Sequence, residues 1–445
     1  MYFCLDAKMF KCSNEFMPKK KITKNFQAPK GMRDILPEDQ LFWEKLTKVL
    51  VNLAQDYGFQ KIETPIVEET ELFVRGTGET TDIVTKQMYS LKTAGGTGLT
   101  LRPENTPGVC RAYMEHGMAS LPQPMKLFYF GPMFRYEQPQ AGRYRQLFQF
   151  GVENIGDQGA VLDAQIIQFC FHIFKMLGLK KINIQINSLG CPQCRPTYRR
   201  ALLDYYRHRK NKICPDCRRR MKENPLRLLD CKEEKCQPIK AQAPAMIDHL
   251  CEECNPHFKE VLEFLDELEI PYFLNSSLVR GLDYYTKTVF EIFWEEEGLQ
   301  TMALGGGGRY DNLIKELGGK PTPAVGAALG MDRIVNLMKK EGIKANNPFS
   351  PKVFLVQLGV MGKKKSLKLF EKLHQAGINT AESLSRDSIK AQLKIADRLG
   401  VKFSLILGQQ EALDKTVIIR DMQSGVQETV PQEKVIDELK KRLKK

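Results

Sequence analysis

Apolar residues change their spacing several times along this 445-residue chain, and each change marks a predicted boundary. Residues 1–25 show no periodicity and end in Lys19-Lys20-Lys21, which predicts a disordered basic lead-in. Met17-Pro18-Lys19 also reads as a second translation start, beside Met1. Leu36-Pro37-Glu38 predicts a helix start with proline in the first turn. Leu41, Phe42, Leu46, Val49, Leu50 and Leu53 then continue it at helical spacing. Residues 59–150 switch to short β-rich runs, such as 61–67 and 125–129, separated by glycine and proline. That pattern predicts an antiparallel sheet with a few helices. Residues 163–177 are helical and 181–187 alternate as a strand does. A cysteine-rich insert spans 191–254, strand signals resume at Pro271, and 311–317 predicts a short helix. A polar stretch with two prolines, 341–351, reads as a linker.

The last hundred residues form a separate pattern. A strand at 353–356, a helix at 366–375, a second helix at 388–399 and a strand at 403–407 predict a small α/β domain with a largely parallel sheet. The whole is therefore α+β. It comprises a lead-in to residue 25, an antiparallel-sheet domain at 26–345 with a helical cysteine-rich insertion at about 188–270, and an α/β domain at 351–445. No internal repeat is visible.

Composition narrows the function classes. Hydrophobic residues are 42% and charged residues 27%, as in globular proteins with real cores. No apolar run looks long enough to span a bilayer and the first thirty residues hold no apolar leader, so a cytoplasmic protein without a membrane partner is expected. Twelve cysteines in such a chain predict reduced thiols or metal ligands. The formal net charge is +14, and residues 351–445 alone hold 19 Lys/Arg against 11 Asp/Glu, a net of +8. That excess favours a polyanionic partner, nucleic acid foremost.

Candidate chemistry concentrates in four places. Arg280-Gly281-Leu282-Asp283-Tyr284-Tyr285 sets a cation, a glycine, an acid and two phenols just before a β-branched run. Leu101-Arg102-Pro103-Glu104-Asn105-Thr106 and Phe134-Arg135-Tyr136-Glu137 lie upstream. Gly330-Met331-Asp332-Arg333 lies downstream, after the glycine run 305–308. Three separated arginines with acids among strand-like segments suit a nucleoside triphosphate beside a small zwitterion, because arginine is always charged and forked for phosphate. The glycine run matches neither phosphate-loop nor dinucleotide patterns, but it lets backbone approach a ligand closely. The insert pairs its cysteines as Cys191/Cys194, Cys214/Cys217, Cys231/Cys236 and Cys251/Cys254. These are enough for two tetrahedral zinc sites, with free thiols as the other reading. The pairing of the four pairs is open.

These runs resemble class II aminoacyl-tRNA synthetases, and histidyl-tRNA synthetases in particular, over residues 28–445. Ile62-Glu63-Thr64-Pro65-Ile66-Val67, the Arg135 run and the Arg333 run match the three class motifs in order, while 100–106, 138–153 and 278–285 match the histidine-specific ones. The resemblance implies histidine activation by ATP with Mg2+, transfer to the 3′ end of tRNA(His), and a homodimer built on the first motif. It implies Arg135 at the α-phosphate and carboxylate, Arg280 at the α-phosphate and Arg333 at the γ-phosphate, with Glu137 also at ATP. Glu104, Thr106 and Gln149 are implied at the amino end of L-histidine, Glu153 and Tyr285 at its imidazole, Tyr284 in the same pocket, and Asn105 among the histidine-binding residues. Gln140 and Arg143, in the motif-two loop, are implied at the tRNA acceptor end, and the C-terminal domain at the anticodon. Many family members lack the eight cysteines, so zinc here is expected to be structural, and its removal to leave histidine–ATP chemistry largely intact. Two rivals remain. A regulatory paralogue in histidine biosynthesis commonly lacks the anticodon domain, and a synthetase for threonine, proline or glycine lacks the histidine-specific runs.

Overall fold

The computed structural model describes residues 26–79, 81–138, 142–295, 302–345 and 350–444, which divide into two compact units meeting at residues 344 and 345. The expected lead-in therefore lies outside the described residues.

The first unit is built on an eight-stranded sheet. Its order is Gln60–Lys61, Met125–Phe134, Gln146–Ile155, Ala324–Gly330, Met302–Arg309, Thr286–Trp294, Ile182–Ser188 and Phe273–Leu274. The six central strands pair antiparallel, and only the two-residue edge strands pair parallel. The pleat sends alternate residues to opposite faces. On the central strands Phe128, Phe150, Val152, Phe290, Ile292, Val325 and Ala327 point to one face. There they form the main core with the helices Pro37–Asp56, Ala160–Leu177, Cys254–Glu267 and Met331–Lys340. Leu127, Tyr129, Met133, Val289 and Ala324 point to the other, where the helix Thr106–Glu115 and Tyr284, Tyr285 and Tyr310 cover them. That second face carries the polar side chains.

The helix Pro37–Asp56 starts where proline was expected, with Pro37 in its first turn and Glu38 and Asp39 favouring the positive helix end. Ala160–Leu177 passes a length and composition test for a membrane span, contrary to the sequence expectation that no run would. It buries Asp163 and most of its apolar residues against the sheet, which makes it a core helix. The expected β-run 61–67 is only two short strands, Gln60–Lys61 and Val67–Glu69, with 62–66 irregular between them. Two structural features were not anticipated: the three-stranded sheet Val67–Glu69, Gly98–Leu101, Tyr89–Lys92, and the helix Thr106–Glu115.

The insert is helical, as expected, with Cys194–Arg207, Pro215–Glu223 and the start of Cys254–Glu267 as its principal helices. Its small core gathers Tyr198, Leu202, Tyr206, Ile213, Leu228 and Leu229 around the cysteines.

The second unit has a five-stranded sheet in the order Thr380–Glu382, Val353–Gln357, Phe403–Leu407, Thr416–Asp421, Gln427–Pro431. The first three are parallel, and the last two add an antiparallel hairpin that the largely parallel expectation omitted. Its two central parallel strands, Val353–Gln357 and Phe403–Leu407, are buried on both faces, with the helices Gly359–Gln375, Ile389–Arg398 and Val435–Lys444 packed around them.

Candidate active site and two cysteine centres

Glu104 and Glu153 anchor a polar cluster on the second face of the large sheet. Both are buried. Glu104 accepts hydrogen bonds from the Thr77 hydroxyl at 2.7 Å and the Tyr284 phenol at 2.8 Å. Burial raises its carboxyl above the usual range, against those two donors and the charges of Arg135 and Arg280. Glu153 accepts from Thr106 at 2.8 Å and Tyr129 at 3.2 Å on one oxygen, and from Tyr310 at 2.5 Å on the other. Burial again dominates and lifts it to about 7, while the three hydroxyls oppose the rise and Glu104 adds to it.

Space for Glu153 is made by its neighbour across the ladder. Gly326 pairs with it in register, and a methyl there would lie 1.8 Å from Glu153 Oε2. The glycine run does the same for Arg280. A Cβ on Gly306 would stand 2.7 Å from Arg280 Nη1. Arg280 pairs with Glu291 at 3.1 Å, and its guanidinium lies 5.6 Å from the Tyr285 ring centre. Tyr285 in turn packs on Tyr284, with ring centres 4.6 Å apart, and so joins Arg280 to the Glu104 cluster. Arg280 Nε and Gln149 Oε1 are buried without a protein partner. Buried polar atoms left open in a cleft mark where a ligand's own groups can bond.

Arg135 Nε donates to the carbonyl of Pro103 at 2.8 Å, which ties the second motif to the Glu104 loop. Arg333 stands in the first turn of Met331–Lys340 and donates to the carbonyl of Gly142 at 3.2 Å. Burial first, then the neighbouring cations Arg143 and Arg135, hold its pKa below the ordinary arginine value. Adjacent Asp332 fixes this turn by accepting from Phe148 N at 2.7 Å and Arg33 at 3.0 Å. Glu137 lies 3.8 Å from Arg143. Gln140 falls outside the described residues, and Arg143 is exposed. The Asn105 carbonyl oxygen accepts from Thr64 at 2.7 Å and Arg102 at 3.4 Å, and its amide nitrogen is buried without a protein partner. Glu104, Glu153, Thr106, Tyr284, Tyr285, Arg280 and Arg135 are joined into one cluster, and Arg333 lies near Arg135 and Glu137. Thr77, Tyr129, Tyr310 and Glu291 belong to the cluster as well, and no motif in the sequence singled them out.

The eight insert cysteines form two groups, Cys191, Cys194, Cys251 and Cys254, and Cys214, Cys217, Cys231 and Cys236, each with its sulfurs within 4.8 Å of one another. The first and last pairs thus enclose the middle two. Sulfur–sulfur separations of 3.7 Å for Cys191–Cys194, 3.8 Å for Cys191–Cys251 and 3.8 Å for Cys214–Cys231 match the edge of a tetrahedron with metal–sulfur bonds of about 2.3 Å. Backbone amides also point at the sulfurs: Cys251 N at 3.1 Å from Cys194 Sγ, and Cys217 N at 3.3 Å from Cys214 Sγ. Such donors favour thiolates, so the donor set fits a zinc-like ion. The insert is not remote from the cleft. Arg227 and Asn224 reach the 280–285 segment, donating to the carbonyl of Gly281 and to Asp283.

Comparison with known proteins agrees with this geometry. Residues 31–334 match the family model described as histidyl-tRNA synthetase, and residues 352–442 match that of the anticodon binding domain. A histidine–tRNA ligase of Dehalococcoides mccartyi is 46% identical over 418 residues, covering 94% of this chain and all of that protein. One from Acetivibrio thermocellus is 44% identical, covering 93% of this chain and 99% of its own. Among solved structures, apo histidyl-tRNA synthetase of S. aureus aligns with a TM-score of 0.78 at 35% identity, over 94% of this chain and all of that one.

Proposed function

The chain belongs to the histidyl-tRNA synthetase family and activates histidine with ATP before passing it to tRNA, and from that premise we propose how its cleft divides the work. The histidine carboxylate attacks the α-phosphorus of ATP, an oxygen–phosphorus bond forms, and the bond to the β-phosphate oxygen breaks to release pyrophosphate. Two anions must meet, so fixed cations are the main catalytic device. Arg280 and Arg135 hold the α-phosphate and carboxylate, and Arg333 holds the γ-phosphate end with Glu137 nearby. Mg2+ accompanies ATP and neutralises phosphate charge.

Glu153 accepts the imidazole N–H of histidine and Tyr285 donates to its other nitrogen. A substrate lacking those groups leaves buried polar atoms unpaired and is rejected. Glu104, Thr106 and Gln149 take the α-amino end, beside Tyr284. Gln140 and Arg143 contact the tRNA acceptor end, whose terminal ribose hydroxyl attacks the adenylate carbonyl and expels AMP. The α/β unit from residue 351 reads the anticodon. Zinc in the two cysteine groups would fold the insert; elemental analysis of protein made under reducing conditions tests it, and no zinc above background sinks it.

The first motif and the exposed Ile66 and Val67 support a homodimer. None of the ten described cysteines is in a disulfide, which supports a cytoplasmic location.

One observation carries the active-site reading: Arg280 is half-buried against Gly306 with its Nε enclosed and without a protein partner, beside the cluster that holds Glu104 and Glu153. Arg280→Ala is expected to cost adenylate formation on the order of 3 kcal/mol or more while the fold survives. ATP–pyrophosphate exchange with histidine measures this, and a rate within about tenfold of the natural protein overturns it.

A further inference from the structure

The segment that carries Arg280, Tyr284 and Tyr285 has no regular structure before the strand at Thr286. Its backbone groups lack ladder partners and must be held from outside. The insert supplies part of that hold. Arg227 Nη2 donates to the carbonyl of Gly281 at 2.6 Å. Arg227 Nε stands 3.9 Å from Asp283, which also accepts from Asn224 at 3.2 Å. The Arg195 guanidinium donates to the carbonyl of Tyr285. Beyond it, Lys287 adopts φ 47, a left-handed conformation that a lysine rarely takes, and its Nζ meets Glu253 at 2.8 Å. From the core, Asp283 N donates to the carbonyl of Thr77 at 3.2 Å, Tyr284 to Glu104 at 2.8 Å, and Arg280 pairs with Glu291 at 3.1 Å.

The origins of these groups matter. Arg195 follows Cys194 directly and Glu253 precedes Cys254, so both ride on one cysteine group. Arg227 and Asn224 lie between Cys217 and Cys231 and ride on the other. Each group therefore delivers a guanidinium to one end of residues 281–285. Arg227 is only 9% exposed, so its bond to Gly281 is shielded from competing water.

We propose that Arg227 and Arg195 are positioning residues for adenylate formation, and that the cysteine groups act on catalysis by fixing where these two arginines stand. The inference rests on the readings of Arg280 and of the cysteine groups given above. Neither arginine is assigned a contact with histidine or ATP; they set the backbone from which Arg280 and Tyr285 project. A misplacement of that backbone should lower turnover more than it weakens substrate binding.

The test uses full-length Arg227→Met, Arg227→Lys and Arg280→Ala. Arg219→Met serves as a surface control, since Arg219 makes only exposed ion pairs with Asp216 and Glu223. Metal content, amide hydrogen exchange across 280–287 and the kinetics of ATP–pyrophosphate exchange are measured on each. Arg227→Met should keep its metal and exchange amides 281–287 faster. Its kcat should fall about 10- to 100-fold, with a smaller change in KM for histidine. Arg227→Lys should recover part of kcat, because an ammonium can still donate to Gly281. Chelator treatment of the natural protein should speed exchange in the same amides. Unchanged amide exchange and kcat in Arg227→Met, beside an inactive Arg280→Ala, overturn the inference alone. If Arg280→Ala itself retains activity, the reading of Arg280 fails instead. Should Arg227→Met not fold, Arg227→Lys and the chelated protein give the same readouts.

Discussion

Glu153 is a carboxyl that folding makes harder to ionise. The unfolded chain titrates near 4.5 and the folded site near 7, so between those values the folded form holds its proton more tightly. The stability it contributes is greatest below pH 4.5, declines as pH rises to about 7, and stays low above that. Glu153→Gln keeps the shape and removes the titration. It should unfold at higher urea than the natural protein at pH 8, by up to roughly 3 kcal/mol, with the gap closing toward pH 5. An equal gap at both pH values would show that burial of charge is not the cause. Histidine activation should fall, since an amide is a weaker acceptor for the imidazole N–H. The motif runs made Glu104, Glu153 and the three arginines legible from sequence. Of the hydroxyls that hold the glutamates, Thr106 and Tyr284 were legible in the same runs and the other three were not. Thr77, Tyr129 and Tyr310 come from a helix, a distant strand and the end of the glycine strand, and only the sheet register brings them to one point. For Asn105, motif membership implied a substrate contact; its carbonyl is held by Thr64 and Arg102, and its buried amide nitrogen is the atom left without a protein partner.

Strands make the site by what they leave out. On Ala324–Gly330, Gly326 faces the carboxylate across the ladder, and a Cβ there would also meet the carbonyl of Val152 at 2.6 Å. Backbone on a central strand cannot step aside, so Gly326→Ala should displace Glu153 and cost about 1–3 kcal/mol of stability. Its KM for histidine should rise more than about tenfold, in line with losing one well-placed polar contact. Gly330→Ala on the same strand meets its nearest atoms only at 3.6 Å and should change KM little. Exchange rates against histidine concentration separate the two, and matched values for both variants would remove the argument. Sequence reading succeeded for elements whose pattern repeats several times, such as the helix at residue 37 and the strand at 182. It failed where an element is two residues long or lies on an edge, as at 60–69 and in the hairpin of the second unit. Short strands give too few alternations to count, and their pairing is decided by the neighbouring strand.

At the scale of the molecule, chemistry and charge are divided between the two units. All the groups assigned to adenylate formation, and the cores that support them, lie before residue 345. The second unit has its own cores, around Leu355, Leu405 and Leu439 on one face of its sheet and Phe354, Val356 and Ile406 on the other. Residues 351–445 carry a net +8 without contributing an adenylate residue. Deletion of residues 352–445 should therefore leave ATP–pyrophosphate exchange within a few-fold of the full-length rate. Charging of tRNA should fall by more than about 100-fold, because the electrostatic share of nucleic-acid affinity goes with the lost phosphate contacts. The residual binding should also depend less steeply on salt, since fewer counterions are released. Binding measured over a salt series decides the matter: full-length tRNA affinity and an unchanged slope in the truncated protein would mean that the basic C-terminal unit serves some partner other than tRNA.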